Sequence, residues 1–393
     1  METFIGRHLS KISNIYEPEH SATTPRILAM EGLRGLAVGL VFLVHFGAIF
    51  SDYLAGSSVL FNIVSYAAVA GNCGVDLFFA LSGYLIYGAV LSKSVDYRKF
   101  IKRRVQRIYP TFLFVLTIYL IFSKVFPLES KIPSGFWNGF TYIVANVLLL
   151  PGVFPINPII TVSWSLSYEL FFYLVIPFIV GFTGMRNWQS SRRIVFFLGV
   201  AALILFCCQW YVHPRLVMFV AGIMVYEIVK FQNLSVLKYP GIEVFFTVLV
   251  LLSFPAYKFF LDHNWYAKIP TLFIGFGLLL LIAFQAGTVA QKVFSWGLIR
   301  WLGNISYSYY LIHGLTLKAM VKFLSVVCPS WLTPQFCFWV WLPLAFLLTF
   351  VSSTILFVLV EKPFSLTLRP SEISLDRTAP LAGLISRFVV QRK

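Results

Sequence analysis

Long apolar runs separated by short, mostly basic segments fill almost the whole chain. Runs at 33–50, 75–91, 108–126, 163–183, 194–212, 215–230, 241–261, 269–286, 303–326 and 338–360 come near the roughly 20 residues that a transmembrane helix needs. No water reaches the backbone inside a bilayer, so each run must satisfy its own N–H and C=O groups, and a helix does this. The pattern predicts an all-α, polytopic membrane helix bundle of about ten transmembrane helices, with short re-entrant or interfacial segments. Two runs are too short to span. Residues 59–70 form a candidate interfacial segment. Residues 139–151 lie among Pro133, Pro151, Pro155 and Pro158 and read as a dipping segment.

Composition agrees with lipid as the solvent, since 59% of the 393 residues are hydrophobic and 12% are charged. Lys and Arg number 31 against 15 Asp and Glu. That excess sits between apolar runs, so it reads as a topology signal and not as a nucleic-acid surface. The segment 93–107 carries Lys93, Arg98, Lys99, Lys102, Arg103, Arg104 and Arg107 against Asp96 alone, which places it in the cytoplasm. If 139–151 does not span, Arg186, Arg192, Arg193, Lys230, Lys238, Lys292 and Arg300 return to the same side, as do both termini. The expected division is a cytoplasmic N-terminal tail at 1–32, a membrane domain at 33–360 and a cytoplasmic C-terminal tail at 361–393. The run at Leu33 starts too late for an ordinary signal peptide and is expected to stay as the first helix. Cys73, Cys207, Cys208, Cys328 and Cys337 show no CxxC spacing and read as packing residues.

Ionisable groups inside apolar runs are expensive and mark function by default. Arg34 and His45 both lie in the first run. Eleven residues on a helix turn through about 1100° and rise about 16 Å, so the two share one face at different depths. A guanidinium suits phosphates, and a neutral imidazole suits removal of a hydroxyl proton near pH 7. The plainer alternative is an interfacial Arg34 and a hydrogen-bonded core His45. Gly32, Gly35 and Gly39 leave room beside this helix for a neighbour or a ligand. Asp76 and Glu169 sit at or inside the edges of apolar runs. Asp76 would orient or pair with His45 or Arg34; Glu169, near Trp164, would do likewise or bind hydroxyls; either could instead be a structural hydrogen bond. Ser82 and Gly83 read as helix packing or as a surface past which a ligand slides. Arg103, Arg104 and Arg107 either hold phosphates or only enforce topology. His313, among Tyr307, Tyr309 and Tyr310, reads first as a satisfied core histidine and second as a further base. His213 and His263 read as surface residues, and Lys318 and Lys322 as cavity or snorkelling side chains. No metal-ligand spacing or glycine-rich phosphate loop is present in the sequence.

The Arg34 to His45 spacing is followed by Gly74-Val-Asp-Leu-Phe-Phe-Ala-Leu-Ser-Gly-Tyr-Leu-Ile86, Arg103-Arg-Val-Gln-Arg-Ile-Tyr-Pro110 and Ser163-Trp-Ser-Leu-Ser-Tyr-Glu169. Leu302-Gly-Asn-Ile-Ser-Tyr-Ser-Tyr-Tyr-Leu-Ile-His313 and Glu361-Lys-Pro363 complete the set. In this order, from about residue 30 to 365, the chain resembles acyltransferase family 3, which includes bacterial glycan O-acetyltransferases. The resemblance implies acetyl-CoA as a cytoplasmic donor substrate, with no permanently bound cofactor, and a glycan or lipid-linked sugar acceptor on the far side of a bacterial inner membrane. It also implies that His45 is catalytic and Arg34 its required partner, and it matches the form without an added esterase-like domain. The expected sites are therefore His45, Arg34, Asp76 and Glu169 for catalysis, and Arg34, Arg103, Arg104, Arg107, Ser82 and Gly83 for the donor.

Within that reading His45 deprotonates the acceptor hydroxyl or is itself briefly acetylated. Lipopolysaccharide O-antigen, exopolysaccharide, peptidoglycan, a lipid-linked sugar and a macrolide or other small molecule all stay open as acceptors. From the residues alone, a transporter of a glycan or small solute is the rival.

Overall fold

The computed structural model describes residues 16, 27–92, 96–207, 213–231, 265–327 and 329–366. The run at 241–261, most of both tails, and Lys93, Lys238, His263, Cys208 and Cys328 lie outside them, while residues 28–32 begin α1 and 361–366 end α13. The described chain is helical: α1 Leu28–Leu54, α2 Ser58–Gly71, α3 Gly74–Ser92, α4 Tyr97–Val125, α5 Phe136–Val147, α6 Ser163–Phe182, α7 Ser190–Cys207, α8 Val217–Phe231, α9 Trp265–Ala283, α10 Val289–Phe294, α11 Gly297–Asn304, α12 Ser306–Val327 and α13 Pro334–Leu366. Among the described residues seven helical stretches are long and apolar enough to cross a membrane, with α2 and α3 forming one of them. The run at 215–230 becomes the 15-residue α8, and that at 269–286 falls in α9, whose apolar stretch Lys268–Ala283 is shorter than a full span. Exposed Phe114, Ile121, Phe178, Phe182, Leu203 and Leu347 on the outer faces of α4, α6, α7 and α13 suit contact with lipid.

Residues 59–70 do not lie apart as an interfacial segment. They form α2, which packs along α1: a Cβ built on Gly47 would meet that of Ala68, and one on Gly71 would meet the Leu40 carbonyl. α3 continues the same antiparallel path, with Gly74 against the Ala37 carbonyl. The other side of α1 receives α10 and α11, because a Cβ on Gly32 or Gly35 would strike the carbonyl oxygen of Phe294 or Ile299. Those two glycines hold helix backbones and not a ligand, whereas Gly39 faces open space. The run at 139–151 gives the 12-residue α5, too short to cross.

Asp96, the one acid of the basic segment, is the N-cap of α4 and accepts from the Arg98 and Lys99 backbone N–H groups at 2.9 and 3.2 Å. The basic turns of α4 thus begin a helix that continues through Pro110 into its apolar half. α8 lies against α3 so closely that a Cβ on Gly83 would sit 2.1 Å from the Phe219 carbonyl oxygen. Arg193 is not a loop charge at the surface. It is buried and grips Glu227 with Nε at 2.7 Å and a second nitrogen at 3.0 Å, while Ser190 donates to the same carboxylate at 2.6 Å and Tyr87 at 2.5 Å. This network joins α3, α7 and α8.

Candidate functional site

At the end of the bundle that carries the basic turns of α4, helices α1, α3, α4, α6 and α12 enclose a cavity of about 150 Å³. Its wall includes Arg34, Ser82, Arg104, Arg107, Glu169 and Tyr310. Volume alone limits an occupant, because sites for drug-sized molecules run to roughly 300–1,000 Å³. A slender arm or one end of a larger ligand fits such a space; a whole nucleotide does not.

Each side chain has a definite support. Glu169 accepts from Ser82 Oγ at 3.2 Å and from the Tyr173 hydroxyl, one turn further along α6. Arg104 lies over the rings of Phe100 and Tyr173, at 5.1 and 5.4 Å from their centroids. Its Nε is buried and has no hydrogen-bond partner among the described residues, and the same holds for Ser306 Oγ on the same wall. A buried unsatisfied donor costs about 1–3 kcal/mol, so both are places where a ligand group would be welcome. Arg107 has a partner already, Glu361, at 2.7 Å. Glu361 also accepts from the Ser308 N–H at 3.0 Å and its hydroxyl at 2.5 Å, capping the first turn of α12. The Glu-Lys-Pro motif therefore fastens the end of α13 to the cavity wall. The chain there runs as a widened π-helical turn over Phe357–Leu366, a register that accommodates Pro363 without its N–H.

Three expected donor residues divide differently. Ser82 lines the cavity, Arg103 is exposed away from it, and Gly83 faces α8. The sequence could not separate Arg103 from Arg104, which are adjacent in one basic run. On a helix they point about 100° apart.

Asp76 joins neither His45 nor Arg34. It is buried at the first turn of α3, 3.7 Å from Arg215 Nε, and Lys268 is near enough to act on it electrostatically. Arg215 also donates to the Asn72 carbonyl at 3.2 Å and lies over Trp164. His213 is not a free surface residue either, since it stacks on Trp164 with centroids 5.3 Å apart and accepts from the Arg215 backbone N–H at Nδ1. Burial, with the nearby Arg215 charge, holds the His213 imidazole down at about 4.

His45 stands one layer beyond the cavity. Its ring meets that of His313 edge to face at 4.9 Å between centroids, and His313 lies 6.2 Å from the ring of Tyr310 on the cavity wall. The Tyr310 hydroxyl is 2.8 Å from Ser165 Oγ and 3.2 Å from the Val162 carbonyl, which ties α12 to α6. On the far side of His45, Lys318 is close enough to act on it electrostatically. Lys322 pairs with Glu129 at 2.5 Å and lies over the ring of Phe126. Lys131, in the same loop region, donates to the Pro158 carbonyl at 2.9 Å and to Thr161. No group of three or more His, Cys, Asp or Glu with the geometry of a metal site occurs among the described residues.

A polytopic helical membrane protein with an arginine-lined cavity on one side of an intramembrane histidine is the class that fold and site define. The model for an acyltransferase domain matches residues 27–360, and the chain belongs to that family, acyltransferase family 3. O-acetyltransferase OatA of Staphylococcus aureus is 31% identical over 195 residues, 46% of this chain and 29% of that protein. Acyltransferase MdmB of Streptomyces mycarofaciens is 33% identical over 161 residues, 39% of this chain and 38% of that protein. Peptidoglycan O-acetyltransferase OatA of Listeria monocytogenes is 25% identical over 340 residues, 77% of this chain and 51% of that protein. The chain thus spans about half, or less, of the length of these relatives. No solved structure matches it. Family membership sets the transporter reading aside.

Proposed function

We propose that the protein transfers an acyl group, acetyl in the first instance, from acetyl-CoA to a hydroxyl of a glycan or lipid-linked sugar across the membrane. One observation carries the reading: Arg34, Arg104 and Arg107 converge on one cavity whose wall leads past Tyr310 to His313 and His45. Guanidinium groups bind phosphates in forked pairs, and the unpartnered Arg104 Nε and Ser306 Oγ give a ligand further bonds to make. The donor enters from the cytoplasm, the side assigned to the basic turns of α4. Its phosphates stay at the arginines and its thioester-bearing arm reaches along α1, a path of about 16 Å from Arg34 to His45. The acceptor hydroxyl arrives from the opposite side, near Lys318.

His45 takes the hydroxyl proton as the oxygen attacks the thioester carbonyl, a role that contributes about 10²–10⁴ in rate. The C–O bond forms, the C–S bond breaks with its electron pair leaving on sulfur, and the proton held by His45 passes to the thiolate. The names of the two OatA relatives favour O-acetyl transfer, and that of the Listeria protein favours peptidoglycan as the acceptor.

The test is transfer of radiolabel from acetyl-CoA into the glycan fraction of membranes holding wild type or His45→Ala at matched levels. Label with wild type alone supports the reading. Equal label in both makes His45 structural and overturns the mechanism.

A further inference from the structure

We propose that His313 is a positioning residue for His45, fixing which imidazole nitrogen is free to take the acceptor proton. The inference rests on the general-base reading above. It starts from an unsatisfied atom. His313 is fully buried, and its Nδ1 lies 2.9 Å from the Tyr309 carbonyl oxygen one turn back on α12. A carbonyl can only accept, so Nδ1 carries the proton and a neutral ring leaves Nε2 as a lone-pair acceptor. That Nε2 is buried without a hydrogen-bond partner. Such a group is costly to leave unmet, and the neighbouring imidazole at 4.9 Å is His45.

The ring of His313 is also held in place. Tyr309 stacks on it at 5.5 Å, and the Tyr309 hydroxyl is fixed 2.7 Å from Thr349 Oγ1 on α13. An orienting partner is what a catalytic histidine ordinarily takes from a carboxylate. Here Asp76 is committed to Arg215 and Glu169 to Ser82 and Tyr173, and no ion pair or hydrogen bond joins His45 to a carboxylate among the described residues. A small rotation of either ring lets a His45 N–H donate to His313 Nε2. The remaining His45 nitrogen then faces the acceptor as the base. The acceptor proton moves to that nitrogen and later to the thiolate, while the proton shared with His313 never leaves the pair. A neutral partner fixes the tautomer without placing a second charge in the membrane interior.

The experiment compares full-length wild type, His45→Ala, His313→Leu and His313→Gln in membranes at matched levels, with acetyl-CoA turnover and thermal stability both measured. Glutamine keeps an acceptor oxygen near the place of Nε2; leucine does not. The expected result is that His313→Leu lowers kcat about 100-fold with KM for acetyl-CoA within about twofold of wild type, and that His313→Gln recovers at least about a tenth of wild-type kcat. Wild-type kcat in His313→Leu overturns the proposal. So does an equal loss in both variants, or a loss that follows thermal stability in step. If His45→Ala is itself active, the general-base reading has failed, an outcome separate from an inactive His45→Ala beside a fully active His313→Leu.

Discussion

Glu361 holds Arg107 at 2.7 Å and caps the first turn of α12 through the Ser308 N–H at 3.0 Å, so one carboxylate at the end of α13 fixes both a cavity arginine and the helix that carries Tyr310. Its side chain is fully buried. Arg107 is 26% exposed, so its charge left alone is partly solvated and the cost falls below the roughly 3–5 kcal/mol of breaking a fully buried pair. Glu361→Ala should therefore lower the apparent melting temperature and activity together. Glu361→Gln, which still accepts from Ser308, should lose less stability. A melting temperature in Glu361→Ala equal to wild type would show that the cap is dispensable.

Arg103 and Arg104 are neighbours in sequence and opposites in setting, one exposed and one on the cavity wall with an unpartnered Nε. A hydrogen bond to a charged group contributes about 1.5–3 kcal/mol. Arg104→Ala should then raise KM for acetyl-CoA about 10- to 100-fold, and Arg103→Ala should leave it within about twofold. Steady-state kinetics on membranes decide the case. Equal effects of the two substitutions would mean that the basic turns act only through overall charge.

Much of this arrangement is legible in the order of the residues. Hydropathy marks the spans because lipid imposes one length and one backbone solution, and helical geometry puts Arg34 and His45 on a common face. What escapes such a reading is pairing over long sequence distances. Asp76 finds Arg215 well over a hundred residues along the chain, and nothing local to either names the other. Arg193 reads as a topology charge because its place near a helix end is where such charges collect; only its burial against Glu227 shows otherwise. Gly83 belongs to a motif, and a glycine beside a functional serine gives no sign of whether a ligand or a helix approaches it. His313 does carry a signal, its place among Tyr307, Tyr309 and Tyr310, but that pattern fits a core histidine equally well. The separating observation is an unmet nitrogen, which sequence does not display.

The Arg193–Glu227 pair gives a structural prediction independent of catalysis. Glu227→Ala removes the carboxylate that the buried Arg193 guanidinium grips, for about 3–5 kcal/mol. The combined Arg193→Met and Glu227→Leu change removes both charges, and comparable pairs elsewhere tolerate such replacement well. In detergent the double variant should unfold at a higher temperature than Glu227→Ala alone. The reverse order would mean that the Arg193 guanidinium still stabilises the fold after its carboxylate is gone, through bonds such as the one it donates to the Trp188 carbonyl.

His213 supplies a dependence on pH. Its folded-state value of about 4 lies below the ordinary histidine value of 6.5, chiefly through burial and then through the Arg215 charge. Between those values the unfolded chain binds a proton that the folded chain does not, so stability falls as pH falls. The contribution is complete above about pH 6.5 and diminishes through the window down to pH 4. His213→Gln keeps an acceptor for the Arg215 N–H and cannot titrate. The difference in melting temperature between wild type and His213→Gln should therefore be constant from pH 7 to 8 and move against the wild type as pH is lowered from 6.5 towards 4. A difference that stays flat across that range would mean that the folded protein takes up the His213 proton over the same range as the unfolded chain, and one that moves in favour of the wild type as pH falls would mean that the stacking on Trp164 is a cation–π contact.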